Sequence, residues 1–342
     1  MGRSGDVSGR LGTVTSMDDL AAMRRALELS ASVRSTAHPN PWVGAVLVIG
    51  DRVHEGATEP PGGRHAEVVA LDRAPGDLGR ATLVTTLEPC ADFVGKRTPS
   101  CAQRLIDAGV GRVVVAAEDP DERVRGRGVA MLRAAGIDVE VGLLADEALD
   151  LLGPYAHHRT TGRPYVVLKL AATIDGGTAA PDGTSRWITG EPARRDAHRL
   201  RAESDAVLVG AGTVRIDDPA LTVRLVDGPD PRRVVLGRAP SGAAVHPCTE
   251  LDGDLRDVLG RLGGEDVVQL LVEGGATVAG AFHRAGLVDR YVLYLAPALF
   301  GGDDATGLFG GPGVSTIADI WRGRVAGVRL VGDDLRVDLV PR

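Results

Sequence analysis

The chain is short of cysteine, of aromatic side chains, of positive charge and of long apolar runs. Three cysteines in 342 residues are too few for a disulfide framework and suit a reducing compartment. Aromatics make up 3% of the chain, against 46 glycines and 20 prolines, so the expected cores are aliphatic and the turns many. A net charge of −7 argues against an extended nucleic-acid partner, because phosphates are gripped by clustered Lys and Arg. No stretch approaches the ~18 apolar residues of a membrane span, and no charged-then-apolar leader opens the chain. No membrane partner and a cytoplasmic location are the expectations.

What is present is an ordinary globular composition, 44% hydrophobic and 25% charged, in a chain long enough for two domains, since one core rarely grows past about 250–300 residues. The first ~16 residues, rich in Gly and Ser, read as a disordered lead-in.

One constellation carries chemistry. Arg64-His65-Ala66-Glu67 is followed by Thr86-Leu87-Glu88-Pro89-Cys90 and then Thr98-Pro99-Ser100-Cys101. Three scattered cysteines are most often small buried hydrophobes, but the context here argues for a metal. His65 opens an apolar-periodic run and so sits at a helix start. Cys90 follows the β-rich run 81–87. Cys101 falls in the first turn of a helix read as capped by Thr98 with Pro99 at its first position. One histidine and two thiols make three zinc ligands, His65, Cys90 and Cys101, and leave a fourth tetrahedral position for water. Zinc lowers the pKa of that water to about 7, and Glu67, two residues past the histidine, is placed to ferry its proton. His-x-Glu followed by Pro-Cys and a second Cys is the pattern of zinc-dependent nucleobase deaminases.

Along the chain, a helix is read from Met17 to about Ser32, strands at 43–49 and 52–57, the His65 helix and the strand ending at Cys90. A helix at 99–108, a strand at 112–116, a helix at 129–135 and a strand at 137–141 complete an α/β unit with a largely parallel or mixed sheet. A charged amphipathic stretch 145–152 and a polar segment 156–163 read as a junction. Beyond it come strands at 165–171, 206–209, 233–236, 267–272 and 290–295, helices at 191–202 and 277–285, and a closing hairpin over 326–340. This is a second α/β domain. Gly274-Gly275-Ala276-Thr277 lies between strand and helix, but it is not the G-x-G-x-x-G fingerprint, and a Gly-Gly loop alone is weak evidence for a phosphate site.

The order of these motifs resembles the bifunctional riboflavin-biosynthesis deaminase-reductase family (RibD/RibG type). His38-Pro39-Asn40-Pro41-x-Val43-Gly44 and the zinc constellation carry the first half. Lys169-Leu170-Ala171-x-Thr173-x-Asp175-Gly176, Ser185-x-Trp187-Ile188-Thr189, Gly212-Thr213-Val214, Asp217-Asp218-Pro219-x-Leu221-Thr222-x-Arg224 and Val272-Glu273-Gly274-Gly275 carry the second. The likeness spans roughly residues 17–342. It implies a cytidine-deaminase-like α/β/α zinc domain over 17–158 and a dihydrofolate-reductase-like α/β domain over 163–342.

The resemblance also implies a chemistry. A diaminopyrimidinone bearing a phosphoribosylamino group would be deaminated with zinc and Glu67. NADPH would then reduce the ribosyl group to a ribityl chain. Lys169, Asp217 and Glu273 match catalytic positions of the reductase. Ala171, Trp187, Thr213, Asp217, Gly275, Ala276 and Thr277 match cofactor contacts. Asn40 matches a pyrimidine contact, and Ser185, Arg201, Leu221, Arg224 and Glu273 match substrate contacts, the arginines suiting the phosphate. A homo-oligomer, dimer or tetramer, is expected.

Two departures stand out. Ala91-Asp92-Phe93-Val94-Gly95-Lys96-Arg97 replaces the family's Ser-His or Asn-His after the first cysteine, with ten residues between the thiols where eight are usual. A surface loop absorbs two extra residues at small entropic cost, but Asp92 puts a charge where a neutral donor is usual. The alternative is therefore a paralogue whose deaminase half is silent or takes a related aminopyrimidine. A structural zinc module joined to a nucleotide-binding domain is a third reading, disfavoured because a structural site wants four protein ligands. The second departure is Gly237-Arg238 after the 233–236 strand, where Arg238 is placed to reach an NADP 2′-phosphate. Cys248 matches nothing.

Overall fold

The computed structural model describes residues 17–91 and 100–342. The lead-in over 1–16, residues 92–97 of the altered loop, and Thr98 and Pro99 lie outside the described residues. Two compact units are seen: one of the described residues up to Ser32 with Val43–Glu59 and Gly63–Leu149, the other of Val33–Trp42, Pro60–Gly62 and Asp150–Arg342.

The first unit runs α1 (Asp19–Ser32), β1 (Gly44–Ile49), β2 (Arg52–Ala57), α2 (Ala66–Asp72), β3 (Thr82–Leu87), α3 (Cys101–Asp107), β4 (Arg112–Ala117), α4 (Arg127–Ala134), β5 (Asp138–Val141) and α5 (Ala145–Leu151). The sheet order is β2-β1-β3-β4-β5. The two-residue turn Gly50-Asp51 forces β1 and β2 into an antiparallel hairpin, Ile49 opposite Arg52, and β1 also runs antiparallel to β3. Helical crossovers then make β3, β4 and β5 parallel, as such connections require. Val46, Val84 and Val114 face Ala22, Met23 and Ala26 of α1 in one core cluster. The apolar run of β4 past Arg112 and the buried alternation of Leu, Val and Thr in β3 reflect burial on both faces.

Two expectations are corrected. The helix read from Pro99 under a Thr98 cap begins at Cys101, and its cap is Ser100, whose Oγ accepts the Gln103 N–H at 3.2 Å. Serine ranks above threonine at this position, and it stands directly before the first helical residue. The polar segment read as a junction is a helix, α6 (Gly153–Thr161), with Pro154 in its first turn and Gly162 as a left-handed cap. Its polar sequence conceals buried work: Tyr155 and His158 are buried, and His158 Nε2 lies 3.1 Å from the Gly263 carbonyl.

The second unit continues with β6 (Tyr165–Thr173), β7 (Gly177–Ala179), α7 (Glu191–Ala202), β8 (Ala206–Gly210), α8 (Ala211–Asp217), β9 (Arg232–Leu236), β10 (Thr249–Leu251), α9 (Leu255–Gly264), β11 (Gln269–Val272), α10 (Ala276–Arg284), β12 (Arg290–Ala296), β13 (Thr306–Gly307), a 3₁₀ turn (Ile317–Asp319), β14 (Gly323–Val331) and β15 (Asp334–Pro341). Its large sheet has the order β10-β9-β8-β11-β6-β12-β15-β14. Strands β10 to β12 are parallel, and β15 and β14 close the edge as an antiparallel hairpin. The two faces carry separate cores, one around Leu168, Leu208, Leu259 and Phe282, the other around Val207, Leu271, Val292 and Tyr294. In this arrangement β8 and β11 lie side by side and each leads directly into a helix, α8 and α10. Ligands of open α/β sheets bind at such carboxyl ends.

Candidate active sites

In the first unit, three elements deliver one side chain each to a common point. His65 is the residue before α2, Cys90 lies just past β3, and Cys101 is the first residue of α3. His65 Nδ1 is 3.6 Å from Cys90 Sγ and 3.3 Å from Cys101 Sγ, and the three ligand atoms lie within 4.8 Å of one another. Tetrahedral zinc, with Zn–S about 2.3 Å and Zn–N about 2.0–2.1 Å, needs ligand atoms about 3.5–3.8 Å apart. The donor set and its spacing fit. The Cys101 N–H donates to Cys90 Sγ at 3.3 Å. A side-chain hydrogen bond with the Cys101 thiol, and after it His65, hold the Cys90 thiol far below its usual range against the opposing effect of burial, the Cys101 N–H adding least. That is the thiolate form a metal requires.

Glu67 is 3% exposed, and burial pushes its carboxyl up to about 7. A group with that pKa both accepts and gives a proton near neutrality. Asn40 falls in the turn after α1, its N–H donating to the Ala37 carbonyl at 3.0 Å, within the segment that groups with the second unit. That segment is tied down there by His38 Nδ1, 3.0 Å from Asp205 Oδ2, and by Arg34 Nη2 donating to Gln269 Oε1 at 2.8 Å.

In the second unit the structure gathers Lys169, Arg201 and Glu273. Lys169 Nζ is 3.8 Å from Glu273 Oε2, and Arg201 grips the same carboxylate through Nε at 2.5 Å and Nη2 at 3.0 Å. Arg201 is no solvated surface charge: its side chain is 12% exposed. Its Nη1 also donates to the Thr222 carbonyl at 3.1 Å, so three nitrogens are engaged and two of its five N–H groups remain for a phosphate. Burial would raise Glu273, but Arg201 and then Lys169 outweigh it and hold the carboxyl at about 2. Burial lowers the Lys169 ammonium, with Glu273 opposing.

The cofactor candidates cluster in part. Lys169 and Ala171 share one face of β6 by the strand's alternation. Gly275 precedes α10, and a Cβ placed on it would lie 3.6 Å from Thr213 Oγ1 of α8, so the two helix starts form one cradle that a side chain would narrow. Trp187 is 67% exposed, with the guanidinium carbons of Arg194 and Arg186 at 4.5 and 5.9 Å from its ring. Asp217 ends α8, and its carboxylate pairs with Arg186 at 3.5 Å. Ser185 is half-buried and Arg224 exposed. Leu221 sits in the core, 2% exposed, at φ +55°. Arg238 turns to Glu250 at 2.9 Å and Asp252 at 3.5 Å, with its side chain 76% exposed.

Sequence reasoning missed His198. It is buried, one helical turn before Arg201 on α7, and its Nδ1 accepts the Arg224 N–H at 3.1 Å. Burial, then Arg201 and Arg224, lower it to about 4. The i,i+3 spacing to Arg201 was its only signal.

Comparison with known proteins agrees with both halves. The model of the cytidine and deoxycytidylate deaminase zinc-binding region matches residues 16–117, and that of the RibD C-terminal domain matches residues 164–337. The riboflavin biosynthesis protein RibD of Mycobacterium tuberculosis (strain CDC 1551 / Oshkosh) is 45% identical over 348 residues, covering 96% of this chain and 98% of that protein. Acinetobacter baumannii RibD, form 1, superposes with a TM-score of 0.88 at 37% identity, over 95% of this chain and 99% of that one. A diaminohydroxyphosphoribosylaminopyrimidine deaminase/5-amino-6-(5-phosphoribosylamino)uracil reductase from Thermotoga maritima gives 0.85 at 33% identity, over 95% and 99%. The architecture is thus a cytidine-deaminase-like domain followed by a dihydrofolate-reductase-like one. The chain belongs to the RibD family.

Proposed function

We propose the following roles for the residues of this bifunctional enzyme of riboflavin biosynthesis, a zinc-dependent deaminase and an NADPH-dependent reductase. The convergence of His65 Nδ1, Cys90 Sγ and Cys101 Sγ beside the buried Glu67 carries the reading.

Residues 17–158 form the deaminase half. His65, Cys90 and Cys101 hold zinc, which when bound supplies a Lewis acid and a water nucleophile active at neutral pH. Glu67 takes the proton from the attacking water and hands it to the departing ammonia. Asn40 reads the edge of the diaminopyrimidinone. A rigid Asn between two prolines suits that task.

Residues 163–342 form the reductase half. Bound NADPH would supply the reducing equivalents for the sugar. Gly275, Ala276 and Thr277 present N–H groups at the start of α10 to its pyrophosphate, with Thr213, Ala171, Trp187 and Asp217 lining the rest of the cofactor's site. Lys169 and Asp217 serve proton transfer at the reacting sugar, and Glu273 orients Lys169. Ser185, Arg201, Leu221 and Arg224 hold the sugar phosphate, Leu221 through its backbone because its side chain is in the core.

Among the described residues no helix is long and apolar enough to cross a membrane. We place the protein in the cytoplasm, where NADPH and reduced thiols are found, acting on a small phosphorylated pyrimidine and not on nucleic acid. We also read it as a dimer or tetramer: edge strand β14 exposes Val325, Val328 and Leu330 at 56%, 58% and 72%.

The test is ammonia release and NADPH oxidation by the purified protein on the diaminopyrimidinone phosphate, with and without Glu67→Ala. In the parent, ammonia release followed by NADPH loss is expected; Glu67→Ala should show neither on this substrate but oxidise NADPH normally when given the already deaminated uracil. NADPH oxidation solely on the already deaminated uracil would instead mean that the altered loop after Cys90 has silenced the first half.

A further inference from the structure

Glu88 stands two residues before Cys90, is 3% exposed, and has no part in the chemistry above. Its N–H donates to the Ala117 carbonyl at 2.9 Å, continuing the β3–β4 ladder. Its carboxylate accepts three backbone N–H groups: Oε2 those of Asp119 at 3.2 Å and Gly126 at 2.8 Å, Oε1 that of Val129 at 3.0 Å. Gly126 is the residue before α4 and has no side chain to cap it. Val129 is the third helical residue, whose N–H a Ser or Asp cap ordinarily satisfies. Glu88 caps α4 from another strand.

The consequence reaches the metal ligand. A Cβ on Gly128, in the first turn of α4, would lie 1.8 Å from the Pro89 carbonyl oxygen, so the helix start rests directly on the peptide leading into Cys90. On the other side, the Cys90 carbonyl accepts the Ala102 N–H at 3.2 Å, and Cys90 Sγ accepts that of Cys101. Cys90 is clamped between the first turns of α3 and α4.

We propose that Glu88 is a positioning residue for the zinc centre. Through the start of α4 it fixes the Pro89–Cys90 backbone, so that Cys90 Sγ meets His65 Nδ1 and Cys101 Sγ at metal-binding distance. It touches neither metal nor substrate. The Glu88→Gln change keeps the volume but turns an NH2 group toward at least one of the three N–H donors. Gly128→Ala drives a Cβ to 1.8 Å from the Pro89 carbonyl oxygen and 3.3 Å from Glu88 Oε1. It pushes chiefly on Pro89, whereas Glu88→Gln alters the cap itself.

The inference rests on His65, Cys90 and Cys101 being the ligands. Metal-free full-length protein would be titrated with zinc against a chromophoric chelator, and loaded with cobalt(II) to read the thiolate-to-metal absorption. Glu88→Gln and Gly128→Ala are expected to bind zinc about tenfold or more weakly and to alter the cobalt spectrum, with reductase turnover unchanged. Val114→Ala, a fully buried β4 position, is the control: it lowers the melting temperature and leaves affinity and spectrum as they were. Wild-type affinity and spectrum in both test variants, with melting lowered as in Val114→Ala, would reduce Glu88 to a helix cap and overturn the proposal. Should Glu88→Gln not fold, Glu88→Asp, which keeps the charge but draws the carboxylate back from the start of α4, decides in its place: parent-like zinc affinity and cobalt spectrum there would overturn the proposal. Cys90→Ser separates the underlying reading: unaltered zinc binding there would overturn the ligand set itself.

Discussion

Arg201 and Glu273 face each other as a two-pronged ion pair, Nε to Oε1 at 2.5 Å and Nη2 to Oε2 at 3.0 Å, with 12% and 9% of their side chains exposed. The pair joins α7 to the end of β11, and with Lys169 on β6 it draws three neighbouring elements of the second unit to one point. A bidentate guanidinium fixes the carboxylate's orientation as well as its charge. Glu273 therefore meets Lys169 in one defined geometry.

Breaking that pair from one side leaves a buried carboxylate with Lys169 as its remaining cation at 3.8 Å. Arg201→Met is expected to destabilise the second unit by about 3–5 kcal/mol. Arg201→Lys keeps charge without the fork, so it should fall between the variant and the parent. Denaturant unfolding monitored with the reductase activity checks both. A loss under about 1 kcal/mol for Arg201→Met would mean the carboxylate finds water or another partner.

His198 makes stability depend on pH in a definite direction. Its ring is lowered to about 4 by burial and by Arg201 and Arg224, so the folded state favours the neutral form. The stability this contributes is complete above the unfolded value of about 6.5 and is lost as pH falls toward 4, because the unfolded chain binds the proton more readily. In His198→Phe the melting temperature should fall less between pH 6.5 and 4 than in the parent. The same change removes the acceptor of the Arg224 N–H, so KM for the phosphorylated substrate should rise several-fold with kcat nearly kept. An unchanged KM would show that Arg224 is held by other means.

Much of this was readable from residue order, and the omissions have separate causes; helix α9 went unread although Asp254 caps it and Leu255, Val258, Leu259 and Leu262 carry a helical spacing. The cluster of His65, Cys90 and Cys101 was legible because a metal needs particular atoms, and these three sit at element ends that the strand and helix patterns already marked. The hairpin at Gly50-Asp51 and the β3 run were legible through turn chemistry and β-propensity. Helix α6 was not, because its polar residues include the buried Tyr155 and His158; periodicity counts apolar letters and does not see a histidine bonded to a carbonyl in the interior. Strand β10 and helix α8, three and seven residues long, are too short for a periodic signal. The carboxylate of Glu273 was legible, but its partner was not. Arg201 lies 72 residues away among Arg194, Arg195 and Arg199, and only the fold distinguishes the one that turns inward.

Gly56 tests how closely α2 must approach the sheet. A Cβ there would lie 2.0 Å from the Ala66 carbonyl oxygen and 2.7 Å from the Ala70 nitrogen, both helix backbone that cannot rotate away. Gly56→Ala must lift α2, and His65 and Glu67 move with it. The expected result is a loss of about 1–3 kcal/mol or more from overpacking, accompanied by weaker zinc retention on dialysis against chelator. Full zinc content at a lowered melting temperature would show that the helix tilts about its His65 end and leaves the ligands in place.

Glu67 and Cys101 separate the two things the first site must do. Glu67 is buried beside the ligands and offers a carboxyl near neutral pKa, while its role as proton carrier requires no bond to the metal. Glu67→Gln preserves size and hydrogen bonding and removes the transferable proton. Ammonia release should therefore fall roughly 10²–10⁴-fold while zinc content stays at that of the parent. Cys101→Ser removes a thiolate, so zinc and ammonia release should disappear together. Reduction of the deaminated substrate should proceed normally in both variants, because Lys169, Arg201 and Glu273 belong to the other unit. Metal analysis beside the two activity assays distinguishes the cases: zinc lost from Glu67→Gln would make the carboxylate a fourth ligand, and a four-ligand centre would no longer hold an open position for water.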